Sequence, residues 1–309
     1  MDYRFSKLHG LGNDFTFIED WERSIELSSD EVARLCDRHT GIGADGIILV
    51  RPSDRDGCAA YMHYINSDGT LAQMCGNGVR CFAKYLVDRR LVDVSAGSFV
   101  ADTLSGPKPI SFTLDGEGRM ATATVDMGSP TLAPELIPVS ADACDVPTGD
   151  ASSCAIATLD SPWGMFSFAC VSMGNPHAVC FLESFDGLPD ELFSDPQNKS
   201  LAALDVAKVG AYFESHSAFP EKANIEFVEA LHDGLRMRVF ERGCGETLAC
   251  GTGACAVAVA AALTGRAPRE TDVALRGGTL HIAWTDEGHV MMTGPAQQSF
   301  TGTFTLPLA

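Results

Sequence analysis

Residues 241–256 read ERGCGETLACGTGACA and join a predicted strand to a predicted helix. The strand is the alternating run LRMRVF at 235–240, and the Ala/Val-rich run at 256–263 continues the helix. Cys250 stands at the start of this helix, within the sequence C-G-T-G. Unpaired backbone N–H groups and the positive end of the helix dipole meet at such a position. Because both features lower the pKa of a thiol, Cys250 is a candidate proton carrier.

Residues 74–85 read MCGNGVRCFAKY and repeat this arrangement, with Cys75 opening an amphipathic helix in the sequence C-G-N-G. A Gly-Asn turn between two predicted strands precedes each cysteine: Gly12-Asn13 comes before Cys75, and Gly174-Asn175 comes before Cys250. The two halves of the chain therefore carry the same signals in the same order. We interpret this weak internal repeat as a duplicated domain.

Strand-turn-strand units dominate the sequence between these motifs, and helices are few. A glycine-rich turn at 41–46 precedes the buried strand at 47–50, which reverses the order found in a dinucleotide-binding fold. Parallel β-α-β repeats are not evident. We therefore predict an α+β fold of two pseudo-symmetric halves. Each half is a mostly antiparallel sheet or barrel around a central helix, and the active site lies in the cleft between the halves.

Length, charge and hydrophobicity indicate how many domains the chain forms and which kinds of partner are disfavoured. A length of 309 residues fits about two domains. The net charge of −19, from 22 basic and 41 acidic residues, disfavours nucleic acid and anionic membranes as partners. No stretch approaches the ~18 apolar residues of a membrane helix, and residues 1–19 lack the pattern of a secretory signal. We expect a cytoplasmic protein.

The 11 cysteines are expected to be reduced in that compartment. Zinc sites usually contain C-x2–4-C pairs, which are absent around Cys75 and Cys250, so we expect no metal. No phosphate-binding loop and no lysine motif for pyridoxal phosphate stand out, so we expect no cofactor. Cys144 and Cys154 flank a predicted loose loop at 145–152, and the sequence gives no argument for a disulfide between them.

Two cysteines at helix starts favour paired proton transfer over redox chemistry, because the C-x-x-C motif of redox pairs is absent. One thiolate removes a proton from one face of a carbon, and the other thiol delivers a proton to the opposite face. The configuration of that carbon is inverted. Negative charge on a neighbouring carboxylate needs fixed donors, which the N–H groups at Gly76-Asn77 and Gly251-Thr252 supply.

Polar residues near the two cysteines have a structural interpretation beside the functional one. Asn13 and Asn66 either only form turns or project into the same pocket as Cys75. His177 and Glu241 either tune the cysteine pKa values or act as a hydrogen-bonded strand residue and a loop cap, with equal support. Arg242 either clamps a carboxylate or forms a surface ion pair.

The motifs together resemble those of the diaminopimelate epimerase family, which supplies meso-diaminopimelate for lysine and peptidoglycan. They match in order along nearly the whole chain: KLHGLGNDF (7–15), GIGADG (41–46), NSDG (66–69), MCGNGVRCFAKY (74–85), SMGNPHAV (172–179), ANIEFV (223–228) and ERGCGETLACGTGACA (241–256). Together these motifs are highly specific, whereas C-G-x-G alone is not. Proline and hydroxyproline racemases resemble M-C-G-H at the first site, where this chain has Asn77 after Gly76.

The resemblance implies a cofactor-free epimerase acting on diaminopimelate, with Cys75 and Cys250 as the acid/base residues and His177 and Glu241 as modulators of their pKa values. It also implies a set of substrate contacts: Asn13, Asn66, Gly76, Asn77, Asn175, Asn224, Glu241, Arg242, Gly251 and Thr252. Asparagine amides both donate and accept hydrogen bonds, so several of them suit the distal amino-acid end of the substrate.

The resemblance further implies how the chain is divided and assembled. The first half covers residues 1–127, the second covers 128–294, and a C-terminal strand at 295–309 returns to the first half. A homodimer is expected. The chain departs from some family members at Gly46, where they carry Gln, so that backbone or water must replace one side-chain contact. The stretch at 131–162 is longer than usual and receives no assigned role.

Two other hypotheses stay open at this point. A phenazine-type isomerase or a proline-like racemase of the same superfamily would share the cysteine pair but act on another substrate. A thiol redox sensor or a non-catalytic binding protein on the same scaffold would show reversible disulfide chemistry without α-proton exchange. Activity of the reduced protein distinguishes this last class from an epimerase.

Overall fold

The computed structural model describes residues 2–72, 75–145 and 154–305. The chain divides into two compact units: Met1–Asp126 together with Thr293–Ala309 form the N-terminal unit, and Met127–Met292 form the C-terminal unit. The loop predicted at 145–152 lies outside the described residues from 146 onward, as do the last four residues of the returning segment at 295–309. None of the helices in the described ranges is both long and apolar enough to cross a bilayer.

The N-terminal unit is built from strands and two helices. In chain order these are β1 (Asp2–Gly10), β2 (Asn13–Glu19), α1 (Ser29–Cys36), β3 (Gly46–Arg51), β4 (Ala60–Asn66), α2 (Gly76–Asp88), β5 (Ser98–Thr103), β6 (Gly106–Leu114) and β7 (Met120–Asp126). The last of the described strands, β18 (Gln297–Thr305), also belongs to this unit and pairs with β1. The strand order is β18-β1-β2-β3-β4-β5-β6-β7, antiparallel except for β2–β3 and β4–β5.

The two helices of this unit pack on opposite faces of the sheet. Helix α1 buries Val32 and Leu35 in a core with Ile47 and Leu49 of β3. Helix α2 contacts β1, β2 and β7, and the Ile48 side chain of β3 points to its first turn. Residues of β3 are thus buried on both faces, which explains the continuous apolar run in the sequence.

The C-terminal unit repeats this plan. Its elements are β8 (Cys144–Asp145), β9 (Ala155–Leu159), β10 (Phe166–Ser172), β11 (Pro176–Phe181), α3 (Val206–Glu214), β12 (Asn224–Leu231), β13 (Gly234–Glu241), β14 (Gly245–Thr247), α4 (Gly251–Leu263), β15 (Glu270–Leu275), β16 (Gly278–Trp284) and the first part of β17 (Val290–Gly294). The order is β8-β9-β10-β11-β12-β13-β15-β16, antiparallel except for β11–β12 and β13–β15. The short strand β14 pairs with β13 at its end.

Strand pairing matches step by step between the units. The series β1 to β6 alternates antiparallel and parallel pairs, and β10, β11, β12, β13, β15 and β16 alternate in the same way. Helices α1 and α3 lie in the first parallel connection of each unit, and α2 and α4 in the second. The predicted α+β fold of two repeated halves is confirmed.

The expectation that parallel β-α-β connections are absent is wrong. Every one of the four α-helices in the described ranges lies in the connection between two parallel strands. The parallel connections are difficult to recognise in the sequence, because an antiparallel pair, β3–β4 or β12–β13, separates each parallel pair from the next. Strand and helix therefore do not alternate one by one, which is the pattern that identifies parallel sheets in sequences.

Helix α1 begins where the sequence predicts and ends earlier. Ser28 is the N-cap residue, and a capping box joins it to Glu31. Ser28 and Ser29 followed by DEVARLCDRH (30–39) predict a capped helix that ends at Gly41. The helix instead ends at Cys36, because Asp37 has an extended backbone conformation. The Asp37 carboxylate accepts hydrogen bonds from the N–H groups of His39 and Thr40 and so stabilises a turn in place of another helical turn.

Close packing of α3 on β13 predicts an unusual effect of a glycine substitution. Replacing glycine by alanine inside a helix normally stabilises it by about 1 kcal/mol. At Gly210, however, the added Cβ would stand 2.6 Å from Cγ of Phe240. We expect Gly210→Ala to lower the free energy of unfolding by about 1–3 kcal/mol because overpacking outweighs propensity.

The measurement is equilibrium urea denaturation, with exposed Ala211→Gly in the same helix as the control for propensity. Propensity alone gives the two substitutions opposite signs, whereas overpacking makes both destabilising. A stabilised Gly210→Ala protein contradicts the packing described here.

Candidate active site

Cys75 is the N-cap residue of α2, as predicted, and its side chain is partly buried. Its Sγ lies 3.5 Å from Oδ1 of Asn13, the first residue of β2. The same oxygen accepts a hydrogen bond from Nδ2 of Asn77 at 3.2 Å. The structure therefore brings together three residues of the predicted site, and it makes Asn13 more than a turn former.

Charged and amide groups fix the orientation of the Asn13 amide. Its Nδ2 donates to Oδ2 of Asp45 at 2.6 Å, which leaves Oδ1 facing Cys75. Arg38 bridges Asp45 and Asp14. On the other side, the fully buried Arg80 donates to Oδ1 of Asn77 at 2.8 Å. The sequence offered little signal for these supporting residues, because charged side chains are usually at the surface.

Asn66 and Gly46 face each other across β3 and β4. The Asn66 amide donates to Oγ1 of Thr70 at 3.1 Å, which is the turn-forming contact of the structural interpretation. At Gly46 a Cβ atom would stand 2.6 Å from both the carbonyl oxygen of Ile65 and Cε2 of Tyr64. Any larger residue at this position requires that β4 or the Tyr64 ring move.

Cys250 is the N-cap residue of α4 and is buried, with 4% exposure. Its Sγ lies 3.5 Å from Oγ1 of Thr252. Burial raises the pKa of the Cys250 thiol well above its ordinary value, and Glu241 and Glu226 raise it further. Hydrogen bonds from Thr252 and the Gly253 N–H oppose these effects without overcoming them.

The prediction that the helix start lowers the pKa of Cys250 is therefore wrong for this structure. Position at a helix N-terminus favours the thiolate, but removal from water and two nearby carboxyl groups disfavour it more strongly. Neither burial nor the carboxyl of Glu226 was evident from the sequence around the C-G-T-G motif. Cys250 accordingly has the character of a proton donor.

The loop between β13 and α4 positions Glu241 and Arg242. Thr247 donates a short hydrogen bond to Oε1 of Glu241. The Arg242 N–H donates to Oδ1 of Asn224 at 3.0 Å, while Nδ2 of Asn224 donates to the carbonyl of Pro176 at 2.8 Å. Both ends of the Asn224 amide thus hold backbone segments together.

The Arg242 guanidinium contacts a backbone carbonyl group. It donates to the carbonyl oxygen of Glu221 at 3.1 Å in an exposed position. The ion pair predicted as the alternative to a carboxylate clamp is absent from the salt bridges of the described residues.

His177 is buried at the start of β11 and contacts two residues. Its Nδ1 lies 2.6 Å from Oε1 of Glu226, and its Nε2 lies 3.1 Å from Oδ1 of Asn175. Asn175 and His177 were predicted as site residues, whereas Glu226 was not. A signal was present, because a glutamate within the apolar strand NIEFV is a polar residue that must be satisfied in the core.

Two further cysteines lie in the same helices. Cys81 of α2 and Cys255 of α4 are completely buried, and Cys81 has a pKa raised by burial. This supports the interpretation of Cys81 as a core residue. Cys154 is a free cysteine, and the Cys144 side chain lies outside the description. Among the described residues no cluster of His, Cys, Asp and Glu is arranged to hold a metal ion.

A known protein family matches the parts of the chain that contain both cysteine sites. The family model described as "Diaminopimelate epimerase" matches residues 5–133 and 169–299, which include both helix-start cysteines. The chain belongs to the diaminopimelate epimerase family. The matched ranges omit 134–168, which contains most of the long stretch noted in the sequence.

Relatives named diaminopimelate epimerase match along the entire chain. One from Acetivibrio thermocellus is 42% identical over 301 residues, covering 97% of each chain. One from Methanococcus maripaludis is 41% identical over 302 residues, covering 97% of this chain and 98% of its own. One from Synechocystis is 42% identical over 307 residues, covering 98% of this chain and 99% of its own.

Solved structures show the same fold at low sequence identity. A hydroxyproline epimerase from Agrobacterium vitis has a TM-score of 0.67 at 13% identity, covering 98% of this chain and 91% of its own. A phenazine biosynthesis protein of the PhzF family from Bacillus anthracis has a TM-score of 0.62 at 16% identity, covering 99% and 100%. This diaminopimelate epimerase family member therefore shares its fold with a hydroxyproline epimerase and a PhzF-family protein.

The close approach at Gly46 predicts the result of a substitution in this family member. The added Cβ of Gly46→Ala meets a backbone carbonyl that cannot move alone. We expect a loss of about 2–3 kcal/mol in the free energy of unfolding.

Gly116→Ala in the same unit is the matched control, because an added Cβ there meets nothing within 4 Å. Urea denaturation compares the two. Equal stability of both variants would show that the site accepts a side chain at position 46 and that the close approach is not rigid.

The charged cluster behind Asn13 predicts a pH dependence. Burial opposes ionisation of Asp14, yet hydrogen bonds from Arg38 and Lys7 lower its pKa from 3.8 to about 2. Because the pKa is lower in the folded than in the unfolded state, the ionised carboxylate stabilises the fold above about pH 4. This contribution is lost as the pH falls towards 2.

We expect Asp14→Asn to lower the free energy of unfolding by about 1–2 kcal/mol at pH 7, after allowance for partial exposure. The difference from the unsubstituted protein should shrink below about pH 4. Denaturation at several pH values measures it, with exposed Asp56→Asn as the control. A difference that stays constant down to pH 2.5 contradicts the assigned ion pairs.

Proposed function

We propose that the protein interconverts LL- and meso-diaminopimelate without a cofactor. One thiolate removes the α-proton from one face of the carbon, and one thiol delivers a proton to the other face. The observation that supports this most directly is the repeated site. In each unit a cysteine is the N-cap residue of a largely buried helix of 13 residues, and the first residue of that helix is glycine. Relatives about 40% identical over nearly the full chain carry the name diaminopimelate epimerase.

Within this proposal Cys75 and Cys250 are the acid/base residues. A thiolate and a thiol are needed at the same time, and the raised pKa of Cys250 favours the thiol form there. Cys75 then takes the α-proton in the resting enzyme, and Cys250 gives one. In the reverse direction the two exchange roles.

Backbone donors stabilise the charge that develops on the substrate carboxylate. In the first turn of a helix the N–H groups point along the axis and out of the N-terminal end, at Gly76 and Asn77 in one unit and at Gly251 and Thr252 in the other. These donors are fixed before the reaction, so they need no reorganisation as charge accumulates.

The side chains of Asn13, Asn66, Asn175, Glu241 and Arg242 are proposed substrate contacts. Asn13 is the first residue of β2, and Asn175 immediately precedes the corresponding strand β11. They are held by Asp45 and His177, respectively. Asn224 is proposed to act through its hold on the Arg242 backbone. Amide groups that donate and accept suit an amino acid end that carries both an ammonium and a carboxylate.

The resemblance to the family also supports a cytoplasmic homodimer. Light scattering of the purified protein measures the oligomeric state. A mass of about 33 kDa in solution, the mass of one chain, contradicts the dimer without affecting the proposed reaction.

Cysteine substitutions test the proposed reaction. We expect Cys75→Ala and Cys250→Ala each to reduce epimerase turnover of diaminopimelate by at least about 10²-fold, the range lost when a general acid or base is removed. Circular dichroism or NMR of product configuration follows turnover in reduced protein.

Cys81→Ala and Cys255→Ala are matched controls, since both change a cysteine in the same helices and cost only roughly 1 kcal/mol of stability. They should keep most of the activity. Turnover of proline but not diaminopimelate favours the racemase alternative, and unchanged turnover in either Cys75→Ala or Cys250→Ala eliminates the two-cysteine reaction.

A further inference from the structure

The two cysteine sites differ at one buried position of the repeat. Strands β3 and β12 correspond, and their third residues are Ile48 and Glu226. Both side chains face a helix start: a Cβ on Gly78 would stand 3.5 Å from Cδ1 of Ile48, and a Cβ on Gly253 would stand 2.8 Å from Oε1 of Glu226. An apolar residue satisfies the fold at this position, so the carboxyl group beside the second cysteine is not required by the architecture.

Glu226 lies close to the thiol of Cys250. The point where a Cβ on Gly253 would stand is 2.8 Å from Oε1 of Glu226 and 3.3 Å from Sγ of Cys250. The carboxyl group is fully buried, and its Oε2 makes no hydrogen bond within the described residues. Burying a partly unsatisfied carboxyl group destabilises a protein, which favours a functional reason for its presence.

Glu226 and His177 are joined by a buried hydrogen bond. Nδ1 of His177 lies 2.6 Å from Oε1 of Glu226. On the other side of the ring, Nε2 lies 3.1 Å from Oδ1 of Asn175, which can only accept. This pairing fixes the orientation of the imidazole ring and, through it, the Asn175 amide.

The groups that face Cys250 come from several elements. Helix α4 contributes the Thr252 hydroxyl and the Gly253 N–H, β12 contributes Glu226, and β13 contributes Glu241. His177 of β11 reaches this cluster through Glu226. The hydroxyl and N–H groups stabilise a thiolate, whereas the two carboxyl groups oppose one.

We propose that Glu226 is a positioning residue that holds Cys250 in the thiol form and, through His177, orients Asn175. This deepens the proposed function and rests on it, because it makes Cys250 the proton donor of the resting enzyme. When Cys250 gives its proton to the substrate carbon, Cys75 has taken one, so one thiolate is present before and after. Glu226 destabilises the thiolate left at Cys250 and favours its return to the thiol by proton uptake from solvent, while Cys75 releases the proton that it took to solvent and becomes the thiolate again.

Glu226→Gln tests this role, because it keeps the shape and a hydrogen bond to Nδ1 of His177 but removes the acid. Glu229→Gln is the matched control on the same strand, and Glu226→Asp restores a carboxyl group. The readout is the rate of alkylation of Cys250 by iodoacetamide against pH, without substrate. Trypsin releases residues 243–266 as one peptide, in which fragmentation by mass spectrometry separates Cys250 from Cys244 and Cys255.

In the unsubstituted protein the midpoint of Cys250 alkylation should lie above about 8.5, the ordinary value for a thiol. Glu226→Gln should lower this midpoint by about one pH unit, the size of a shift caused by one nearby charge. The midpoint of Cys75 in the same samples, and that of Cys250 in Glu229→Gln, should stay unchanged. Glu226→Asp should recover most of the shift, and Glu226→Gln should slow epimerisation and move its pH optimum downward.

An unchanged Cys250 midpoint in Glu226→Gln overturns the proposal, as does an equal shift in Glu229→Gln. If Glu226→Gln does not fold, the unsubstituted protein still decides, because a Cys250 midpoint at or below about 8 is incompatible with a residue held as the thiol. Alkylation needs no substrate, so its outcome is separate from the proposed function, which fails if the unsubstituted protein does not epimerise diaminopimelate.

Discussion

The placement of a cysteine at the start of a buried helix is the constraint on which both sites depend. The cysteine must have an extended backbone while the next residues are helical, and glycines at the following positions let neighbouring groups approach closely. At Gly253 the space for a side chain is already taken by Glu226. Packing therefore requires the second glycine of the C-G-x-G pattern at Gly253. In the proposed reaction the pattern also directs backbone N–H groups at the substrate.

The sheet of each unit places the end of one strand beside the start of the helix. Strands β2 and β11 deliver Asn13 and Asn175–His177 beside α2 and α4, respectively. Parallel connections bring these strand ends to the same side as the helix N-terminus. Sites on rigid strands and helices hold reacting groups more accurately than sites on loops, which suits a reaction that moves one proton over a short distance.

The two sites share a plan but differ in chemistry. Around Cys75 the supporting groups are amides and ion pairs that involve Asn13, Asn77 and Arg80. Around Cys250 they are carboxyl groups, Glu226 and Glu241, in a more buried setting. The repeat places a cysteine at equivalent positions in the two units, and the surroundings of Cys250 raise the pKa of its thiol. An epimerase needs one acid and one base in each direction, so a thiol form at Cys250 fits the proposed reaction.

The sequence predicted the elements that local chemistry determines. Short-range signals predicted the helix starts at Cys75 and Cys250, the Ser28 cap and the repeated order of turns. The structure contains all of these features. It did not predict the parallel connections, because pairing between distant strands leaves no local pattern. Nor did it predict the raised pKa of Cys250 or the role of Glu226, since burial and distant carboxyl groups are products of the tertiary structure.

The central claim is that two different thiol groups act on opposite faces of one carbon. The most direct test is turnover of diaminopimelate in D2O, stopped early, with the deuterium content of residual substrate and of product measured separately by mass spectrometry. The account predicts deuterium at the α-carbon of the product and protium retained in the residual substrate, because the acid that completes the reaction is not the base that began it. Equal deuterium in both stereoisomers from the earliest times contradicts it and indicates a single base.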